Sequence, residues 1–174
     1  RRLRFSLRTL LIVPTLVAGV LSVWYQRYER PRRATARIEA LGGWIGIENA
    51  TFNGGAVEDW LRERLPANYF EHVVRVSLKR VQFRDADLVD LPALRALREL
   101  DLSHTSIGQA GLGYVGRLVS LQKLDLSLAP VTDAGLRRLS GLTGLQVLNL
   151  SDSQVTDDGL KHLAGLPVLR ELDV

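Results

Sequence analysis

From Val73 to Val174, apolar residues return every 24 positions. One column holds Val73, Leu97, Leu121, Leu145 and Leu169, and the next Val76, Leu100, Leu124, Leu148 and Leu172. A third holds Leu78, Leu102, Leu126, Leu150 and Val174, and further columns follow on Phe83, Leu88, Leu91 and Leu94. A fixed period of this size marks a stack of like units. Within each unit the spacing changes. LRELDLS, LQKLDLS and LQVLNLS alternate apolar with polar, as a strand buried on one face does, whereas AGLRRLSGL and DGLKHLAGL space leucines at three, as one face of a helix does. Each unit is predicted to be a strand, a turn and a short helix. No unit can bury its apolar face alone, so neighbours stack into a continuous core. Residues 73–174 then make four units and part of a fifth.

The turns carry a signature of their own. SQVTDDGL at 153–160 and PVTDAGL at 130–136 share Val-Thr-Asp followed by Gly-Leu; TSIGQAGL at 105–112 lacks the Thr-Asp pair, and RVQFRDADLVDL at 80–91 lacks the glycine. On these residues the chain resembles leucine-rich-repeat proteins. The subtype is similar to the cysteine-free bacterial repeats whose turn reads Ser/Thr-x-Ile/Val-Thr-Asp-x-Gly-Leu. The resemblance covers 73–174 and implies an α/β solenoid, with parallel strands on a concave face and short helices on a convex one. It also implies a binding module, not an enzyme, and it brings no catalytic residues.

Ahead of the repeats, Thr9 to Gln26 reads TLLIVPTLVAGVLSVWYQ without a single charge. As a helix, such a run spans roughly 27 Å, close to the thickness of a bilayer's hydrocarbon. Arg8 and Arg27 flank it, and Trp24 and Tyr25 stand where an interfacial aromatic belt would. A single-pass membrane helix over 9–26 is therefore expected, behind a basic flank at 1–8. Cleavage by a signal peptidase needs small residues after the apolar run, and Ser22, Val23, Trp24 and Tyr25 do not supply them, which favours a retained anchor. Four arginines precede the span and five follow within about a dozen residues, so the positive-inside count leaves the side of the repeats open. An arginine-flanked apolar start before such repeats also resembles membrane-anchored bacterial members of the family.

Residues 27–43 read as a juxtamembrane helix stopped by Gly42 and Gly43. Residues 44–72 read as a small α/β cap. It would hold a strand around Trp44, Ile45 and Ile47, a turn at Asn53 to Gly55, and a helix from Ala56 to Leu65 stopped by Pro66.

The net charge of +4 hides a division. Residues 1–37 carry nine arginines against the single acid Glu29, while residues 38–174 carry a net −4. Phosphate neutralisation supplies most of the affinity for nucleic acid, so a repeat body of negative sign argues against such a partner. The chain has no cysteine, hence no disulfide framework and no thiolate site. His72, His104 and His162 show no metal-ligand spacing, and no cofactor is expected. GLGYVG at 111–116 matches a dinucleotide fingerprint in letters only, because Gly111 is the repeat glycine seen again at 135 and 159. Thr132, Asp133, Thr156 and Asp157 are expected to cap the convex helices by accepting backbone N–H bonds.

The outward strand positions are the candidate site. Columns there read Arg75, Glu99, Lys123, Val147, Glu171, then Ser77, Asp101, Asp125, Asn149, Asp173, then Lys79, Ser103, Ser127, Ser151. Asp101 and Asp125 place like charges about 4.8 Å apart on adjacent strands, which suits either a cationic or hydrogen-bonding partner or a solvated ladder. The residues expected to meet a protein or peptide are Glu99, Asp101, Ser103, Lys123, Asp125, Ser127, Asn149 and Ser151. The alternative is a structural spacer near the membrane. An edge formed by Leu166, Leu169 and Leu172 without an atypical polar cap is expected to promote self-association.

Overall fold

The computed structural model describes residues 18–19, 22–23, 29–49 and 71–174. Apart from those four positions, the apolar run at 9–26 lies outside the described residues, as does the helix expected at 56–65. Among the described residues, no helix is long and apolar enough to cross a membrane.

Six strands form one sheet in sequence order. β1 (Trp44–Asn49) runs antiparallel to β2 (Glu71–Ser77). The rest follow in parallel: β3 (Glu99–Asp101), β4 (Lys123–Asp125), β5 (Val147–Asn149) and β6 (Glu171–Asp173). The register aligns Val76, Leu100, Leu124, Leu148 and Leu172 in one row. Each parallel strand is three residues long from β3 onward, because a turn follows at once, yet main-chain pairing runs past it. Leu102 and Leu126 donate to the carbonyls of Asp125 and Asn149, both at 2.9 Å.

On the other side of each unit stand short helices, α2 (Gln109–Val115), α3 (Asp133–Leu136) and α4 (Asp157–Leu160), the last two running on into single 3-10 turns. The first unit departs from the expected helix. It makes two 3-10 turns instead, Asp85–Leu88 and Leu91–Ala93. Pro92 lies near the start of the second, where a missing N–H is tolerated.

Between the layers lies the core. Leu78, Leu97, Leu102, Leu121, Leu126, Leu145 and Leu150 are fully buried, as are Leu136, Leu139 and Leu142 from the convex side. Such side chains each contribute roughly 1.5–3 kcal/mol on leaving water.

Before β1 comes α1 (Arg30–Ala40), a helix that covers part of the one expected over 27–43. Pro31 occupies its first turn, where an N–H is not needed. It stops in a Schellman arrangement: Gly43 N–H donates to Ile38 O and Gly42 N–H to Glu39 O, both at 2.9 Å, with Gly42 at φ +83°. Ala34 and Ile38 face inward and are buried at the start of the stack. Arg30 Nε reaches Asp90 Oδ1 at 3.3 Å, tying the helix to the first unit.

Candidate binding face

The strands present two outward residues each, and the turns that follow fix how these stand. In β3 the Asp101 carboxylate accepts from Ser103 N–H at 2.9 Å and from Ser103 O–H at 2.7 Å. Asp125 does the same with Ser127 at the same distances, and Asn149 Oδ1 accepts from Ser151 N–H at 2.9 Å. The next residue then turns left-handed: Arg80, His104, Leu128 and Asp152 all have φ between 56° and 59°. A short polar side chain that bonds two residues on mimics a backbone turn, which explains why this column is Asp, Asp, Asn. The acids therefore organise the turn as well as charge the face. Ser77 O–H also donates to Asp101 Oδ2 at 3.3 Å, leaving Asp125 Oδ2 without a described partner.

Of the eight residues expected to meet a partner, seven stand at least partly open and one does not. Ser103 is 1% exposed, so it supports Asp101 from beneath. Lys123 is the most open of the set, and Glu99, Asp101, Asp125, Ser127, Asn149 and Ser151 are half-buried. They lie side by side across β3, β4 and β5, as their register requires.

One residue that the repeat pattern does not bring forward extends this face. Trp44 pairs with Ser77 across the antiparallel β1–β2 ladder, so both point to the side that carries Arg75. The Arg75 guanidinium sits 5.6 Å from the centroid of the Trp44 ring.

The turn signature has a different role from the one expected. Thr132 and Thr156 do occupy the N-cap positions, but neither makes a side-chain cap bond. Asp133 instead reaches the next unit, where its two oxygens accept Thr156 N–H at 2.8 Å and Thr156 O–H at 2.7 Å. Asp85 does likewise two units earlier, accepting Gly108 N–H at 2.9 Å. The Thr156 N–H holds the Asp133 carboxyl below its ordinary value, followed by the Thr156 hydroxyl and, more weakly, the charge of His162. The glycine of the signature belongs to the same contact: a Cβ on Gly159 would collide with the Asp133 carboxylate. Thr-Asp and Gly are thus the two halves of a staple between neighbouring units.

A groove of about 510 Å³ crosses the loops that enter the strands, lined by Arg95, Arg98, Ser120, Gln122, Thr143 and Gln146 among others. Arg98 Nη1 lies 3.6 Å from Glu48 Oε2 at its rim. Among the described residues no cluster of His, Asp and Glu could hold a metal ion.

Three segments, 94–115, 118–140 and 142–164, match the family described as Leucine Rich repeat. Over those segments, under half of its length, the chain is similar to leucine-rich repeats. Among solved structures, it is similar to an internalin (inlC2) from Listeria monocytogenes, at 21% identity and a TM-score of 0.44 over 85% of this chain and 65% of that one. It is also similar to an internalin (inlF) from the same organism, at 22% identity and a TM-score of 0.39 over 49% of this chain and 30% of that one. The chain thus spans less than two thirds of either internalin. No curated protein matches.

Proposed function

We propose that this is a membrane-anchored leucine-rich-repeat protein, built on a 24-residue repeat, that binds another protein or peptide on its concave face and catalyses no reaction. The observation that carries this reading is the row of outward polar residues from β3 to β5, each set by an Asx bond to the turn behind it. Side chains held in register before a partner arrives lose little freedom on binding, and rigid display is how such a surface gains affinity. The anchor is the uncharged run at 9–26, flanked by Arg8 and Arg27.

The test is a photo-crosslinking residue placed in the full chain, in living cells of its own organism. At position 147, on the concave face, it should trap a discrete adduct that Lys123→Ala with Asp125→Asn abolishes; at position 134, on a convex helix, it should trap none. Equal labelling from both positions, or none from 147, overturns the binding reading. Alkaline carbonate extraction tests the anchor separately. Release of the chain into the wash removes the membrane part and leaves the binding part standing.

A further inference from the structure

We propose that Trp44 and Arg75 anchor the concave site and select a peptide segment in which an aromatic or large apolar residue stands beside an acidic one. This rests on the concave face being a binding surface and assigns the chemistry it takes.

Trp44 is 56% exposed, a large aromatic that the described residues leave open on one side. It is also held in place. Its strand is paired to β2 through Ser77, and Arg75 lies against its ring. Gly46 makes that contact possible: opposite Arg75 in the ladder, a Cβ there would come within 2.9 Å of the Trp44 ring and 3.0 Å of Arg75 Cβ and Nε. The missing side chain is the space through which the guanidinium reaches the indole. An aromatic already fixed by a stacked cation meets a partner with little further ordering, and Trp and Arg are the residue types that most often carry binding energy.

The acid in the partner follows from the charge. Arg75 makes no ion pair with any described residue, although Glu99 is its neighbour in the register. Lys79 and Arg80, exposed in the turn that ends the same strand, make none either. β2 and its turn therefore present three cations with no described acid bound to them. Further along the sheet acids outnumber the one outward cation, Lys123, with Glu99 and Asp101 on β3, Asp125 on β4, and Asp152, Glu171 and Asp173 beyond them. A peptide crossing the strands is read with its acid over Arg75, its apolar neighbour on Trp44, and any basic residue toward Asp101 and Asp125. Opposite charge at the ends fixes direction as well as affinity.

The experiment selects peptides from a displayed random library on the full chain held in detergent, then measures the affinity of the best binders as synthetic peptides. The expected pool pairs Asp or Glu with an adjacent aromatic or large apolar residue. Binding should weaken at least tenfold with Trp44→Ala and with Arg75→Gln, and less than threefold with Arg75→Lys. Arg75→Glu, which leaves the Trp44 ring in place, should abolish binding of the acidic peptide and restore it to one whose acid is replaced by lysine; circular dichroism checks that each variant stays folded. A pool without acidic residues, or no rescue by the swapped charge, overturns the proposal. If Lys123→Ala with Asp125→Asn destroys binding while the Trp44 and Arg75 variants do not, the anchor falls and the concave reading stands. If neither set matters, or no peptide is enriched, both fall.

Discussion

Beside β2 the sheet gains an antiparallel strand and a helix, and Ala34 and Ile38 seal the first layer of the core. Beside β6 no described side chains take up that role, although the main chain is paired just as well. Leu150 N–H donates to Asp173 O at 2.7 Å, and Arg170 and Glu171 both donate to Gln146 O. Yet every residue of β6 is exposed, Leu172 to 37%. In a stack of this kind, hydrogen-bonded pairing and closure of the core are separate achievements, because a strand adds backbone partners on its own while a core layer needs side chains from both neighbours.

The largest effect tests that separation directly. Ile38→Ala removes a side chain that is 3% exposed and should cost about 2–5 kcal/mol. Leu172→Ala, in the open strand, should cost under about 1 kcal/mol, since much of the side chain is already in water. Urea unfolding of the full chain reads both. Equal losses would show that β6 is covered in solution and would break the comparison.

Next in size is a contrast between two glycines. Gly159→Ala forces a methyl against the Asp133 carboxylate and should cost about 1–3 kcal/mol. Gly113 is also helical, but a Cβ there meets nothing within 4 Å, so Gly113→Ala should stabilise the chain by about 0.5–1 kcal/mol. Thermal melts of the two variants should move in opposite directions. A destabilised Gly113→Ala would mean that the convex face carries a contact absent from the isolated chain.

The architecture is legible in the residues because two periods coincide along one chain. Alternation within LQKLDLS and LQVLNLS fixes which residues face the core, and the recurrence of those segments fixes the parallel register, so the alignment of Leu100, Leu124 and Leu148 follows from their spacing alone. The first unit's missing helix is less legible, since leucines spaced at three suit a 3-10 turn as well as one face of an α-helix. Thr-Asp reads as a local cap because its partner lies 23 residues onward, a distance that no single-unit motif exposes. The clue is the pairing of Asp133 with the glycine of the following unit. Trp44 is hidden for another reason: its face depends on an antiparallel partner, and β1 and β2 shift register between Gly46 and Ile47. Left-handed Leu128 follows no local residue preference and is imposed by the turn. Leu128→Asn, a residue that tolerates this conformation, should therefore stabilise by up to about 1 kcal/mol in the same melts.

The smallest effect separates two aspartates of one column. Asp133 is stapled to Thr156, whereas Asp157, one unit later, has no hydrogen-bond partner among the described residues. The Asp133 carboxyl is depressed below 3.8, chiefly by the Thr156 N–H, so its charged form is favoured by folding. Its contribution is complete above that value and is lost as pH falls through the depressed one, because the unfolded chain then takes up the proton first. Melting temperature measured between pH 5 and pH 2 should therefore fall, and Asp133→Asn should flatten part of that fall by keeping the Oδ1 acceptor for Thr156 N–H while removing the titration. A profile that Asp133→Asn does not change would show that the bond to Thr156 is not held in solution.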